Sequence, residues 1–151
     1  MLKEGKTAQE ALTELLAGDE GRDVRQVAIV DSKGNVAAHT GAKCIQFADH
    51  ITGEQFSVQS NMMLTDKVSD AMEGAYKASL KLPLAERVLA ALNAAQQAGG
   101  DIRGKQSAAL IVVPGKSQAE PWNERSIDLR VDDHDSPLVE LGRLYKVQQA
   151  Y

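Results

Sequence analysis

The chain has 151 residues, of which 43% are hydrophobic, so it is long enough and apolar enough for one globular domain with a core. Its formal net charge is −4, and it has neither a basic stripe nor a membrane-spanning apolar run, so we expect no nucleic-acid partner and no membrane partner. A single cysteine, Cys44, excludes an intrachain disulfide and is typical of a cytoplasmic protein.

The N-terminal part of the chain predicts a helix followed by a β-hairpin. A capping box begins at Thr7, and apolar residues follow at helical spacing as far as Gly18. Gln26–Asp31 and Val36–Thr40 flank turn-forming residues and predict the two strands of the hairpin. Because Val27–Val30 is continuously apolar, we expect this strand to be buried on both faces.

A further strand and two helices are predicted in the middle of the chain. Gln55–Asn61 alternates apolar and polar side chains, as a half-buried strand does. Thr65 and Asp66 are expected to cap a helix over Lys67–Ala78. Pro83 is expected as the first residue of an alanine-rich helix, which continues towards two adjacent glycines.

The stretch Gly99–Ser107 is the strongest indication of a functional site. Its two adjacent glycines can take positive φ angles, so the helix can end abruptly and the backbone can approach another group closely. Five polar side chains follow at the mouth of the apolar strand Ala108–Val113, where they can be held rigidly and still meet a ligand. They are Asp101, Arg103, Lys105, Gln106 and Ser107. The alternative is an ordinary capped connection between a helix and a strand.

The C-terminal part predicts a polar loop, a strand and a last helix. The loop spans Lys116–Glu124, and Ser126–Val131 alternates apolar and polar side chains. Ser136 and Pro137 fit the N-cap and the first position of the helix. Its inward-facing residues are expected to be Leu138, Leu141, Leu144 and Val147. About five strands in hairpin-like succession and about four helices favour an α+β fold over a βαβ wind.

Three further side chains are candidates for chemistry. His39 lies near the end of a predicted strand and is a candidate general base or ligand; the alternative is a purely structural hydrogen bond. Asn61 also ends a strand, where a side-chain amide can donate to a developing oxyanion; the alternative is a hydrogen bond within its own turn. Cys44 is a candidate nucleophile with His39 as its base, although the sequence offers no third orienting group.

A dense acidic cluster, Asp132-Asp133-His134-Asp135, precedes the last helix. Three carboxylates and an imidazole can hold a hard divalent cation, which makes Asp132, Asp133 and His134 weak candidates for metal ligands. Their spacing matches no known metal motif, however. The alternative is electrostatic, because acids ahead of a helix N-terminus complement the helix dipole.

Four stretches carry a resemblance to a known family. They are Gly34–Gly41, Phe56–Met62, Ala98–Leu110 and Asp128–His134. Together they resemble a bacterial and archaeal family of unknown function placed in the Ntn-hydrolase superfamily, and the similarity extends from about Leu2 to Tyr145. The chain departs from this family at Ser60, because the family usually has Gln-Gly-Asn where this chain has Gln-Ser-Asn. A glycine permits dihedral angles that a serine does not.

The resemblance implies hydrolysis of an amide bond by an αββα sandwich. Enzymes of this kind begin with a strand whose first residue supplies the nucleophile and whose free amine serves as the base. Because Leu2 follows Met1, we expect residues 1–151 to be a single Ntn-hydrolase-like domain, truncated at its N-terminus relative to the family and lacking the nucleophile. At the matching positions, chemistry assigns oxyanion or pocket roles to Gln59, Asn61 and Asp101. It assigns substrate binding to His39, Gln106, Ser107 and Asp133.

Three functions follow from this sequence. The first is an Ntn-type hydrolase body without its nucleophile, which acts on a small amide-containing molecule and needs no cofactor. The second is a non-enzymatic binding or assembly module on the same fold. The third is a metal-assisted hydrolase that uses His39 and the acidic cluster.

The strands Val27–Val30 and Leu110–Val113 are expected at the centre of their sheets, because both are continuously apolar. Unpaired backbone groups beside them would cost about 1–3 kcal/mol each if buried. We therefore expect neighbouring strands from a second copy, in a homodimer or higher oligomer, or from a segment outside this chain. A bare, solvent-facing edge on either strand would contradict this expectation and the Ntn-type sheet order with it.

Overall fold

The computed structural model describes residues 1–116, 120 and 125–150. These residues form four α-helices and three two-stranded antiparallel sheets. In chain order the elements are α1 (Ala8–Ala17), β1 (Gln26–Val30), β2 (Val36–Thr40), β3 (Asp49–Gly53), β4 (Phe56–Ser60), α2 (Val68–Ala78), α3 (Leu84–Gln97), β5 (Ala108–Val112), β6 (Ile127–Val131) and α4 (Pro137–Gln149). The prediction of a mixed chain of hairpins and helices is confirmed, whereas most of the predicted loop at 116–124 lies outside the described residues.

Helix α1 begins where the sequence predicts. The Thr7 side chain accepts a hydrogen bond from the Glu10 backbone N–H, the Glu10 carboxylate accepts one from the Thr7 N–H, and Gly18 caps the C-terminus. The helix buries Ala8 and Leu12 against the β1–β2 hairpin. A short periodic segment with a strong cap is therefore enough to fix this helix on its hairpin.

The hairpin of β3 and β4 contains the one strand absent from the sequence prediction. Its register places Asp49 opposite Ser60 and Gly53 opposite Phe56. The turn between the strands is Glu54-Gln55, and Gln55 has a positive φ angle of 62°. Tight hairpin turns usually have glycine or asparagine at positions with a positive φ angle, so the sequence of this turn does not predict it.

The larger core lies between helices α3 and α4 and the β5–β6 hairpin. Its best-buried side chains come from all four elements and include Leu89, Leu110, Ile127, Val131 and Leu141. Strand β6 alternates as predicted, with Ile127 and Val131 each 8% exposed. The core places the start of β5 beside the start of α4, and both border the site described below.

The prediction that Val27–Val30 and Leu110–Val113 are buried on both faces is wrong. Val30 is 48% exposed and Ile111 is 55% exposed, because alternate side chains of these strands face solvent. Within the described chain, β1 pairs only with β2, and β5 pairs only with β6. Neither strand has a backbone partner on its outer edge within the described residues, so this chain by itself contradicts the expected central placement of both strands and does not form the Ntn-type sheet order. Coverage of these edges by a second copy or a further segment stays a prediction.

Two details of the helices also differ from prediction. Helix α2 has Lys67 at its N-cap position without a side-chain cap, so the predicted cap by Thr65 and Asp66 is wrong. Thr65 instead accepts from the Lys67 backbone N–H and donates to the carbonyl of Ala98 at the end of α3. The prediction that Val147 of α4 faces inward is wrong, because this residue is 43% exposed. Tyr145, which is 7% exposed, is the buried residue near the end of this helix.

None of the helices in residues 1–116 and 125–150 is long and apolar enough to cross a membrane.

Candidate functional site

A cleft of about 630 Å³ lies where the end of β4 meets helices α2 and α3, the loop before β5 and the start of α4. Its apolar lining includes Met63, Val68, Met72, Leu92 and Leu138. Its polar lining includes Gln59, Gln96, Asp101, Arg103, Lys105 and Gln106. This volume and this mixture of apolar surface with a few polar groups are typical of small-molecule sites.

The loop between α3 and β5 forms one side of the cleft and is tied to the chain after β4. The backbone N–H of Leu64 donates to the carbonyl of Gly100 at 2.8 Å, and that of Ile102 donates to the carbonyl of Met62 at 2.9 Å. Met63 and Asp101 form an isolated antiparallel bridge between these two bonds. The two segments are therefore held together as a short ladder beside the cleft.

The glycines in this loop have the positive φ angles that the sequence predicts. The φ angles are 128° at Gly99, 66° at Gly100 and 100° at Gly104. A Cβ atom at Gly100 would lie 2.7 Å from the side-chain nitrogen of Gln96. Glycine at this position therefore permits the left-handed backbone and leaves room for the Gln96 side chain in the cleft.

Asp101 and Arg103 form a closed pair at the edge of the cleft. The guanidinium donates through Nε to Asp101 Oδ1 at 2.9 Å and through Nη2 to Oδ2 at 2.5 Å, and the Arg103 backbone N–H donates to Oδ1 at 2.8 Å. The hydrogen bond from the Arg103 side chain is the largest influence that lowers the pKa of Asp101 to about 2. An ionised carboxylate has no proton to donate to an oxyanion, so this geometry favours the pocket alternative for Asp101, which lines the cleft and holds Arg103.

The strand that carries Gln59 brings Ser60 into the interior. Gln59 lines the cleft and donates through its side-chain amide to the hydroxyl of Ser57. The hydroxyls of Ser60 and Ser69 are 2.8 Å apart and both residues are buried. Ser60 occupies the position at which the resemblance implies glycine, but its backbone is not left-handed. The positive φ angle in this segment is at Met62, where φ is 60°.

The predicted site residues divide into two groups. Gln59, Asp101, Gln106 and Ser107 all line the cleft, although they come from distant parts of the sequence. Three others do not line it, namely His39, Asn61 and Asp133. The ring nitrogen Nε2 of His39 lies 2.8 Å from the backbone carbonyl oxygen of Arg22, which is the structural alternative given for this residue.

The remaining candidates make separate contacts. Cys44 donates to the carbonyl of Arg25 at 3.4 Å, and so it is not hydrogen-bonded to His39. The Asp132 carboxylate accepts from Arg130 at 2.8 Å, and His134 Nδ1 accepts from the backbone N–H of Ser136 at 2.9 Å. Among the described residues, no three side chains of His, Cys, Asp or Glu are grouped so that they could hold a metal ion. The acidic cluster therefore fits its electrostatic alternative better.

Several lining residues were not assigned to the site from the sequence. In the sequence, Gln96 is only a polar position of a predicted helix, and Met63 carries no signal of a site. Arg103 and Lys105 lie in the stretch that the sequence favoured, but nothing in their spacing distinguishes a cleft residue from a solvated one. The signal that could have found Gln96 is its position four residues before Gly100, one helical turn from the loop.

Comparison with known proteins gives the family. The profile of a family of unknown function, DUF1028, matches residues 1–141. The chain belongs to the DUF1028 family. A crystal structure of a DUF1028 protein from Silicibacter pomeroyi is similar, with 33% identity and a TM-score of 0.79 over 95% of this chain and 59% of that one. This DUF1028 chain thus spans 59% of the length of that relative. No curated protein matches it.

Proposed function

We propose that this chain is the ligand-binding body of an Ntn-hydrolase-like amide hydrolase, whose cleft binds a small amide-containing molecule. The observation that carries the proposal is the convergence of Gln59, Asp101, Gln106 and Ser107 on one cleft of about 630 Å³. In this proposal residues 1–151 form part of one larger domain of the αββα type.

The composition of the cleft suits an amide. The side chains of Gln59, Gln96 and Gln106 each carry both a donor and an acceptor, which is what an amide needs for pairing. Met63 and Met72 add adaptable apolar surface for the groups on either side of the amide. The chain's contribution in this proposal is to bind and orient the ligand.

The nucleophile is proposed to come from outside these 151 residues. Of the residues that the structure describes, two serines line the cleft, Ser60 and Ser107, and neither is placed as an activated nucleophile. Ser60 is hydrogen-bonded to Ser69, which is not a base, and the Ser107 side chain makes no hydrogen bond within the described residues. An added strand beside β1 or β5, whose outer edges are bare here, would bring such a residue into the fold.

Calorimetric titration with N-acetylleucinamide, a neutral amide with an apolar side chain, tests the proposal. We expect binding without turnover, and binding about fivefold weaker in Gln106→Leu, since about 1 kcal/mol is typical of one hydrogen bond. Gln97→Leu is the matched control, because Gln97 is exposed and outside the cleft. Absence of binding to the wild type, or an equal loss in the control, would overturn the proposal.

The second candidate is an assembly module, and the exposed strands favour it. Val30, Ile111 and Val113 are 48%, 55% and 59% exposed on strands or strand ends with a free outer edge. Such edges are covered in stable proteins, so this candidate predicts a homodimer or higher oligomer. Light scattering coupled to size exclusion decides it, and a clean monomer at micromolar concentration would exclude it.

A further inference from the structure

The charged side chains of the cleft leave one positive charge uncompensated. The paired hydrogen bonds of Asp101 and Arg103 bring their opposite charges together. Lys105 also lines the cleft, is exposed, and has no ion-pair partner in the described parts of the chain. The cleft therefore attracts an anion, although the whole chain has a formal net charge of −4.

The backbone next to Lys105 offers further donors. Gly104, with a φ of 100°, turns the chain, and the segment from there to β5 belongs to no helix or strand. The backbone N–H groups of Lys105 and Gln106 make no hydrogen bond to any residue that the structure describes. An ammonium group beside two free N–H groups is a donor set suited to a carboxylate.

We propose that the ligand of this cleft is an N-acylated amino acid with an apolar side chain, and that Lys105 selects it by binding its free carboxylate. This inference rests on the proposed function and adds the substrate class. The apolar side chain packs on Met63, Met72 and Leu92, which line the same cleft. The amide group lies between this apolar surface and the Lys105 side, within reach of the glutamine side chains.

Two ligands that differ only in charge test this assignment. N-acetylleucine carries the carboxylate and N-acetylleucinamide replaces it with a neutral amide. We expect wild-type protein to bind the acid about five- to tenfold more tightly in calorimetric titrations at low salt. Lys105→Gln is expected to abolish this preference, so that the acid and the amide bind with similar affinity. Lys81→Gln, an exposed lysine outside the cleft, is expected to retain the preference.

The outcomes separate this inference from the proposed function. Equal binding of the two ligands by wild-type protein, or a preference that survives in Lys105→Gln, would overturn the inference and leave the amide-binding cleft intact. Failure of both ligands to bind would overturn both. A second readout is ionic strength, because added salt screens an exposed ammonium, so the preference for the acid is expected to shrink as salt is raised.

Discussion

The hydroxyl oxygens of Ser60 and Ser69 lie 2.8 Å apart in the interior, where the two residues are 6% and 1% exposed. Ser60 ends strand β4 and Ser69 lies in the first turn of α2, so this hydrogen bond joins a strand to a helix beside the cleft. The resemblance described above implies glycine at this position, and the serine found here has a buried partner for its hydroxyl.

A double-mutant cycle measures this contact. Ser60→Ala and Ser69→Ala are each expected to lower the free energy of unfolding by about 1–3 kcal/mol, because each leaves the other hydroxyl buried without a partner. The double variant is expected to lose less than the sum of the two single losses. Urea unfolding of all four proteins gives the coupling energy. Strictly additive losses would mean that the two hydroxyls do not interact.

The Asp101–Arg103 pair predicts sensitivity to acid. The pKa of Asp101 is about 2 in the folded chain, against about 4 for an unfolded aspartate. The folded state therefore binds fewer protons than the unfolded state in this window, and the stability from the pair is full above about pH 4 and is lost as the pH falls towards 2. Urea unfolding should show a steeper loss of stability between pH 4 and pH 2 in wild-type protein than in Asp101→Asn.

Two other aspartates help to interpret this measurement. The pKa of Asp31 is also lowered to about 2, chiefly by the Asn35 side chain, so part of the acid sensitivity will remain in Asp101→Asn. Asp66→Asn removes an exposed carboxylate that has no ion pair within the described residues. It controls for the loss of one negative charge. A pH dependence unchanged by Asp101→Asn would contradict the role given to the pair.

The variant Gly100→Ala is predicted to weaken ligand binding in addition to lowering the stability of the fold. Gly100→Ala places a Cβ atom on a backbone with a φ of 66°, at a cost of about 1–2 kcal/mol. The new atom would also meet the Gln96 side chain at 2.7 Å and displace it from the cleft. We therefore expect weaker binding of N-acetylleucinamide.

Gly5→Ala provides the matched control for this variant. Gly5 has a φ of 89°, and a Cβ atom there would meet nothing within 4 Å. A similar loss of stability with unchanged binding is expected. Equal binding by Gly100→Ala and wild-type protein would show that Gln96 does not contribute to the site.

Most of the fold follows from local patterns, and the errors have physical causes. The capping box at Thr7 and the alternation of Ile127–Val131 each involve only a few neighbouring residues, so the sequence predicts them correctly. The burial of β1 and β5 cannot be predicted in this way, because an apolar run does not reveal how many neighbouring strands a strand has. Strand β3 was missed because its turn contains Gln55 at positive φ, where glycine or asparagine is usual.

The candidate site was predictable only in part for a related reason. The glycines and polar residues of Gly99–Ser107 lie together in sequence, and the cleft uses most of them. Gln96 and Met72 reach the same cleft from helices, and only tertiary packing brings them there. Asn61 and His39 have side chains suited to such a site, but neither of them lines the cleft.

The central claim is that this cleft binds amides, and a nuclear magnetic resonance titration tests it most directly. Backbone amide signals of the ¹⁵N-labelled chain are followed as N-acetylleucinamide is added. If the cleft binds this ligand, saturable shifts are expected to be concentrated at Gly99–Ser107, Gln59 and Gln96, with the β1–β2 hairpin unaffected. Shifts concentrated on the outer edges of β1 and β5, or no saturable shift anywhere, would contradict this claim.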